Sequence, residues 1–189
     1  MKKLQSITQK YLGIVSLISF LLLAVFAIGM ATPAANCVTY SPDESITKFY
    51  SNFQGSNDAI LILAIAGLLI SGSFTLFRSG KRKIYYIGNF ITTGLLIAIL
   101  IGSAAYGIVA IAKYQSSYMA LPFAEMNEYW SSHGSSKSIS ANTPVFGLGY
   151  AICALLLVVC VFAIFLFATK LLERISYEKT RQETPIQEA

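Results

Sequence analysis

Four long stretches of this chain contain no Asp, Glu, Lys, Arg or His, and together they make up about half of its 189 residues. They are residues 11–30, 59–77, 84–112 and 145–169. Each reaches or nearly reaches the roughly 20 apolar residues that a helix needs to cross the hydrocarbon core of a bilayer. The sequence therefore predicts an all-α, polytopic membrane protein folded as a four-transmembrane-helix bundle.

The composition leaves little material for anything outside the membrane. Charged residues are 12% of the chain, whereas soluble domains use about 25%. Between and after the predicted spans lie only two outer loops, residues 31–58 and 113–144, and a tail, residues 170–189, that is predicted to start as a charged helix. We therefore expect a single membrane domain over residues 1–189, with the lipid bilayer as its first partner.

The distribution of lysine and arginine predicts the orientation, since basic flanks are retained on the cytoplasmic side. Three basic residues lie in the two outer loops, together with five acidic ones. The other eleven flank the opposite ends of the spans: Lys2, Lys3, Lys10, Arg78, Lys81, Arg82, Lys83, Lys170, Arg174, Lys179 and Arg181. We expect a multi-pass plasma-membrane protein with both termini in the cytoplasm. The net charge of +5 then reflects topology and contact with anionic lipid, and we expect no nucleic-acid partner.

The first span also has features of a secretory signal peptide, because Lys2 and Lys3 precede it and small residues follow it. Its 20 apolar residues exceed the usual 7 to 15 of a signal peptide. We expect it to be retained as an anchor; cleavage would leave three spans.

Small residues predict where the helices pack, because lipid gives helices no hydrophobic reason to associate and close backbone approach has to supply the contacts. The third span carries the Gly94 stripe, defined as Gly94, Ala98 and Gly102. The fourth span carries the Cys153 stripe, defined as Gly149, Cys153, Cys160 and Ala163. Both stripes are predicted helix-packing interfaces, and the Gly94 stripe is either a contact between subunits or a seam within the chain.

Two short amphipathic helices are predicted in the outer loops. Ser41-Pro42-Asp43-Glu44 has the pattern of a helix start, and the helix would stop at Gly55. The second would follow Pro122, with Glu125 and Glu128 towards water and Gly134 as its stop. Aromatic residues on the other face of each would lie on the membrane surface or on the helix ends.

No pattern in the chain predicts catalysis, a cofactor or a metal site. The single histidine, His133, does not share a helical face with Glu125 and Glu128, and no base is available to activate a serine or Cys37. Cys37 is either a free thiol or a bridge to another subunit. Within the four charge-free stretches we expect Asn89 to hydrogen-bond a neighbouring helix, and the absence of a carboxylate or histidine argues against a proton-coupled carrier.

These observations favour a non-enzymatic accessory or structural subunit that packs into a larger membrane assembly, with other membrane subunits or further copies of itself. The alternative is a small-solute transporter or channel-forming oligomer, with Asn89, Thr92 and Thr93 as the polar lining. A weaker alternative is an immunity or lipid-handling protein at the outer leaflet.

Overall fold

The computed structural model is all-helical in the part of the chain that it describes. Its helices are α1 (Lys2–Val38), α2 (Glu44–Leu76), α3 (Lys83–Met119), α4 (Phe123–Ser132) and α5 (Val145–Glu183). The backbone is described for residues 2–38, 44–77, 83–134, 136, 138, 140, 142 and 144–183, and side chains for residues 5–30, 54–77, 87–134, the same four single residues and 144–176.

Four of these helices are long and apolar enough to cross a membrane. The qualifying segments are Gln5–Met30 in α1, Gln54–Leu76 in α2, Ile87–Met119 in α3 and Val145–Ser176 in α5. Each contains most or all of one predicted span, so the predicted count of four and the all-helical class are confirmed. The helices extend beyond the predicted spans, because a charged residue ends a charge-free stretch but does not end a helix.

The long helices form a ring in the order α1, α2, α3, α5, in which each packs on its two neighbours. Their directions alternate around the ring. Gln9 and Asn89, near the starts of α1 and α3, meet Phe74 and Lys170, which lie towards the ends of α2 and α5. This is the up-and-down arrangement of a four-helix bundle, with α1 and α3 on one diagonal and α2 and α5 on the other.

The core of the bundle is apolar along most of its length. Phe20, Leu23, Leu96, Leu100 and Leu156 are fully buried. Most of the buried hydroxyl groups on the spans bond to a carbonyl of their own helix; the exceptions in the described part are Ser71 and Ser103, whose hydroxyl oxygens have no hydrogen-bond partner. The core therefore has little polar character between its ends, and its largest group of polar side chains lies at one of them.

That polar end is opposite the end of the bundle that carries α4. Pro122 precedes α4, and Gly134 ends it with a φ of +73°, a backbone conformation that favours glycine. Met126 and Trp130 of α4 are buried. The predicted helix after Pro122 thus corresponds to a separate helix between α3 and α5, while its position relative to a membrane surface stays a prediction.

The first outer loop differs from the expectation. A separate helix stopping at Gly55 was predicted, but α2 begins at Glu44 and continues through Gly55 to Leu76. A glycine inside a helix costs only about 1 kcal/mol relative to alanine, and Gly55 does not have the positive φ of Gly134. The helix also gains a contact just beyond it, where buried Asn57 donates to the carbonyl oxygen of Ala27 at 2.8 Å.

Candidate functional site

Polar groups from all four long helices, namely side chains from three of them and a backbone carbonyl from the fourth, meet inside one end of the bundle. We call it the Lys170 cluster and define it as the side chains of Gln9, Asn89, Thr93 and Lys170 together with the backbone carbonyl of Phe74. Gln9 belongs to α1, Asn89 and Thr93 to α3, Lys170 to α5 and Phe74 to α2. No other part of the described bundle brings together polar groups from all four long helices.

An amide pair forms the base of the Lys170 cluster. Gln9 is only 2% exposed, and its Nε2 donates to the Phe74 carbonyl at 3.0 Å and to Asn89 Oδ1 at 2.8 Å. Asn89 Nδ2 donates back to Gln9 Oε1 at 3.2 Å. Because α1 and α3 are on a diagonal of the ring, the pair joins two helices that do not otherwise pack on each other.

The ammonium of Lys170 completes the cluster. Its Nζ donates to Asn89 Oδ1 at 2.9 Å, and to Gln9 Oε1 and Thr93 Oγ1 at 3.2 Å each. The Phe74 ring lies on another side, with its centroid 5.5 Å from Nζ. An ammonium has three donors and no acceptor, so all its donors are used.

Within the described structure, the positive charge of Lys170 is balanced by dipoles and not by a carboxylate. Among the described residues no Asp or Glu forms an ion pair with it, and all three of its hydrogen-bond acceptors are neutral. Lys170 lies within the segment Val145–Ser176 that is apolar enough to span a membrane. An ionisable residue in such a segment is costly, and it therefore marks a candidate functional site.

The prediction for Asn89 is confirmed, whereas the sequence analysis missed Lys170 and Gln9. Residues from Lys170 onwards were assigned to a cytoplasmic tail that starts as a charged helix. The helix is present, since α5 continues to Glu183, but Lys170 faces the bundle. A signal was available, since the buried positions Cys153, Cys160, Ala163 and Leu166 of α5 recur at helical spacing that leads on to residue 170. Lys170 is neither a carboxylate nor a histidine, so the argument against a proton-coupled carrier is unchanged and stays a prediction.

The structure places the two predicted small-residue stripes in opposite environments. All four members of the Cys153 stripe are buried. A Cβ added to Gly149 would lie 2.7 Å from the Phe26 ring and 2.8 Å from Ile111 Cδ1, and Cys153 Sγ would lie 2.8 Å from a Cβ on Gly107. This stripe is the contact surface of α5 with α1 and α3.

The Gly94 stripe lies on the outside of the bundle. Ala98 and Gly102 are exposed and Gly94 is half-buried. A Cβ added at Gly94 or Gly102 would have no neighbour within 4 Å in the described structure, unlike one at Gly88 or Gly107 of the same helix. The Gly94 stripe is therefore not brought together with the Cys153 stripe.

The remaining candidate groups are the cysteines, the metal-ligating side chains and the aromatic residues of the first outer loop. Cys153 and Cys160 are buried free thiols within the spans. Among the described residues, no three His, Cys, Asp or Glu side chains are grouped as metal ligands would be. The side chain of Cys37 and the aromatic residues of the first outer loop lie outside the described side chains. Comparison of the chain with known protein families, curated protein sequences and solved structures found no match.

Proposed function

We propose that this chain is a non-enzymatic subunit of a membrane assembly, and that it packs against another membrane-spanning segment through the Gly94 stripe of α3. The proposal rests on one observation, the open space in front of Gly94 and Gly102. Gly67 and Gly149, by contrast, have an aromatic ring of a neighbouring helix against them, while Gly72 and Gly147 face open space but belong to neither predicted stripe.

The physical reason concerns contact area in lipid. A helix face that meets only acyl chains gains nothing from lacking side chains, while a face that meets another helix gains close backbone approach and dispersion contacts. Leu95 and Ile101 stand on either side of the stripe and are about half exposed, so a partner helix would lie in a shallow groove between them.

The partner that suits this groove is a transmembrane helix with its own small-residue face. A second copy of the chain carries the same small-residue face, and a different subunit could supply one as well. In the proposed orientation the protein lies in the plasma membrane and both of its termini are in the cytoplasm, as the lysine and arginine distribution favours. The Lys170 end of the bundle is then the cytoplasmic end.

The test is the mass of the protein after gentle extraction from its membrane. We expect the wild type to elute at a mass well above its own 20.6 kDa, allowing for detergent. Gly94→Leu/Gly102→Leu fills the groove and should reduce the mass to that of one chain. Gly72→Leu/Gly147→Leu is the matched control, because those glycines also face open space but lie on α2 and α5. A monomeric wild type with no co-purifying protein, or equal effects of both double variants, would contradict the proposal.

Transport of a small solute is the second candidate, and the Lys170 cluster is the observation that favours it. Asn89 and Thr93 contact the ammonium of Lys170 inside the bundle of one chain, so a pathway lined by them would run within the chain rather than between copies. The test is solute flux into liposomes that contain the pure protein, with Lys170→Met as the comparison. Flux that is lost in the variant would support transport, while equal flux in both proteins would show that the Lys170 cluster takes no part in transport.

A further inference from the structure

We propose that the Lys170 cluster is a binding site for a monovalent cation of ammonium or potassium size, and that the side-chain ammonium of Lys170 is its tethered occupant. The site is formed by α1, α2 and α3, and the occupant is supplied by α5. This inference is independent of the Gly94 stripe and of the proposed assembly.

The direction of every hydrogen bond in the cluster identifies the charge that it recognises. Gln9 Oε1, Asn89 Oδ1 and Thr93 Oγ1 all point their lone pairs at the same position, which Nζ occupies. The donors of these groups are turned away from it: Gln9 Nε2 to the Phe74 carbonyl and to Asn89, and Thr93 Oγ1 to the Asn89 carbonyl at 2.6 Å. Three oxygen acceptors that converge on one point form a site for a cation.

The aromatic side of the site agrees with this assignment. The Phe74 ring has its centroid 5.5 Å from Nζ, within the range at which a ring face attracts a cation. An aromatic face carries a negative quadrupole and repels an anion. The site therefore has oxygen atoms on one side and a ring on another, a combination that suits ammonium ions.

An anion is a poor fit for the same position. The three donors of Nζ already have acceptors, and both donors of Gln9 Nε2 are used. A phosphate or carboxylate would have to break these bonds and would then face the oxygens of Gln9, Asn89 and Thr93. The positive charge of Lys170 alone does not make an anion site.

The oxygen site should persist when its occupant is removed, because the Gln9–Asn89 pair holds itself together by reciprocal bonds and is anchored on Phe74. Lys170→Ala removes three methylene groups and the ammonium. The n-propylammonium ion has the same carbon and nitrogen atoms and can therefore replace them. Lys170→Met keeps most of the stem and frees about the volume of the ammonium itself, so that inorganic ammonium or potassium could enter.

The experiment is thermal unfolding of the full chain in mild detergent, followed by the fluorescence of its single tryptophan, Trp130. We expect both variants to melt below the wild type. Propylammonium should raise the melting temperature of Lys170→Ala, and ammonium or potassium that of Lys170→Met, by about 3–6 °C at a concentration tenfold above the dissociation constant. The wild type should not respond, because its tethered ammonium competes at a high effective concentration.

Two controls separate binding at the cluster from a general salt effect. Tetramethylammonium, whose methyl groups keep its charge too far from the three oxygen atoms for a hydrogen bond or direct coordination, should leave both variants unchanged. Adding Asn89→Leu to either variant removes the central acceptor and should abolish the response, whereas Lys113→Ala, at an exposed lysine near the other end of α3, should resemble the wild type.

The proposal is overturned if propylammonium and tetramethylammonium act equally on Lys170→Ala, or if the response survives Asn89→Leu. If Lys170→Ala does not fold, Lys170→Met alone decides, since a Met side chain preserves most of the helix contacts. A Lys170→Met protein that ignores ammonium and potassium at every concentration also contradicts it.

Discussion

The Cys153 stripe of α5 and the Gly94 stripe of α3 look alike in sequence and differ in what surrounds them. Both place small residues along one side of a spanning helix. The first is closed by Phe26, Ile111 and the backbone of Gly107, while the second faces open space. The difference shows that small-residue spacing predicts close contact but not whether the contact lies within one chain or between two.

The largest effect should come from placing the same bulky side chain on each stripe. Gly149→Leu would force the Phe26 ring and Ile111 apart, because even a Cβ there lies 2.7 Å from the ring. We expect this variant to lose about 3 kcal/mol or more of unfolding free energy. Gly102→Leu should change the stability of the single chain by no more than about 0.5 kcal/mol. Unfolding in mixed micelles with increasing SDS measures both, and equal losses would show that α3 is packed on both sides.

A smaller effect is expected at the contact between Gly107 and Cys153, where two helices meet through one sulfur atom. Gly107→Ala puts a methyl group 2.8 Å from Cys153 Sγ, so we expect a loss of about 1–2 kcal/mol. Cys153→Ala removes the sulfur and costs about 1 kcal/mol through the gap that it leaves.

The double variant tests this contact more strictly than either single one. Because the new methyl group enters the space that the sulfur vacates, Gly107→Ala/Cys153→Ala should lose less than the two single variants together, with a coupling of about 1 kcal/mol. The same SDS titration gives all four stabilities of the cycle. Simple additivity would mean that the two residues do not contact each other.

The four spanning helices could be predicted from the sequence because each depends only on an uninterrupted run of residues along the chain. Twenty residues without charge must be helical in lipid, and Asn89 inside such a stretch must find a partner. Lys170 and Gln9 were missed for the same reason. A rule that ends a span at the first charged residue stops at Lys10 and at Lys170, so it cannot register that Gln9 lies one turn before Leu12 on the buried side of α1. The side on which a helix packs is decided by its neighbours, which a single sequence does not contain.

The environment of the Gly94 stripe was unpredictable for a related reason. Small residues at every fourth position give the same sequence pattern whether a neighbouring side chain packs against them, as Phe20 packs against Gly67, or the space in front of them is open. Only the ring order of the helices, in which α3 turns Leu96, Leu100 and Ala104 inwards, places the stripe outside.

The smallest effect should come from Ser103, which is next to Gly102 in the chain but on the inward side of α3. Its hydroxyl oxygen is buried and has no hydrogen-bond partner. Ser103→Ala should leave stability unchanged or raise it by up to about 1 kcal/mol, since an unsatisfied polar group is removed. Ser16→Ala is the matched control, because Ser16 is equally buried but donates to the Leu12 carbonyl at 2.7 Å and should lose about 0.5 kcal/mol. A clear loss in Ser103→Ala would indicate an interaction of this hydroxyl in the assembled protein.

The most direct test of the proposed assembly is photo-crosslinking in the intact membrane. A photoreactive amino acid at Leu95 or Ile101, which border the Gly94 stripe, is compared with one at Val161 or Phe165, which are at least as exposed on α5. We predict a discrete protein adduct from the two α3 positions, of the size of a second copy or of one other subunit, that disappears in Gly94→Leu/Gly102→Leu. Adducts with lipid only, or the same protein adducts from the α5 positions, would contradict the assignment of this face as a subunit contact.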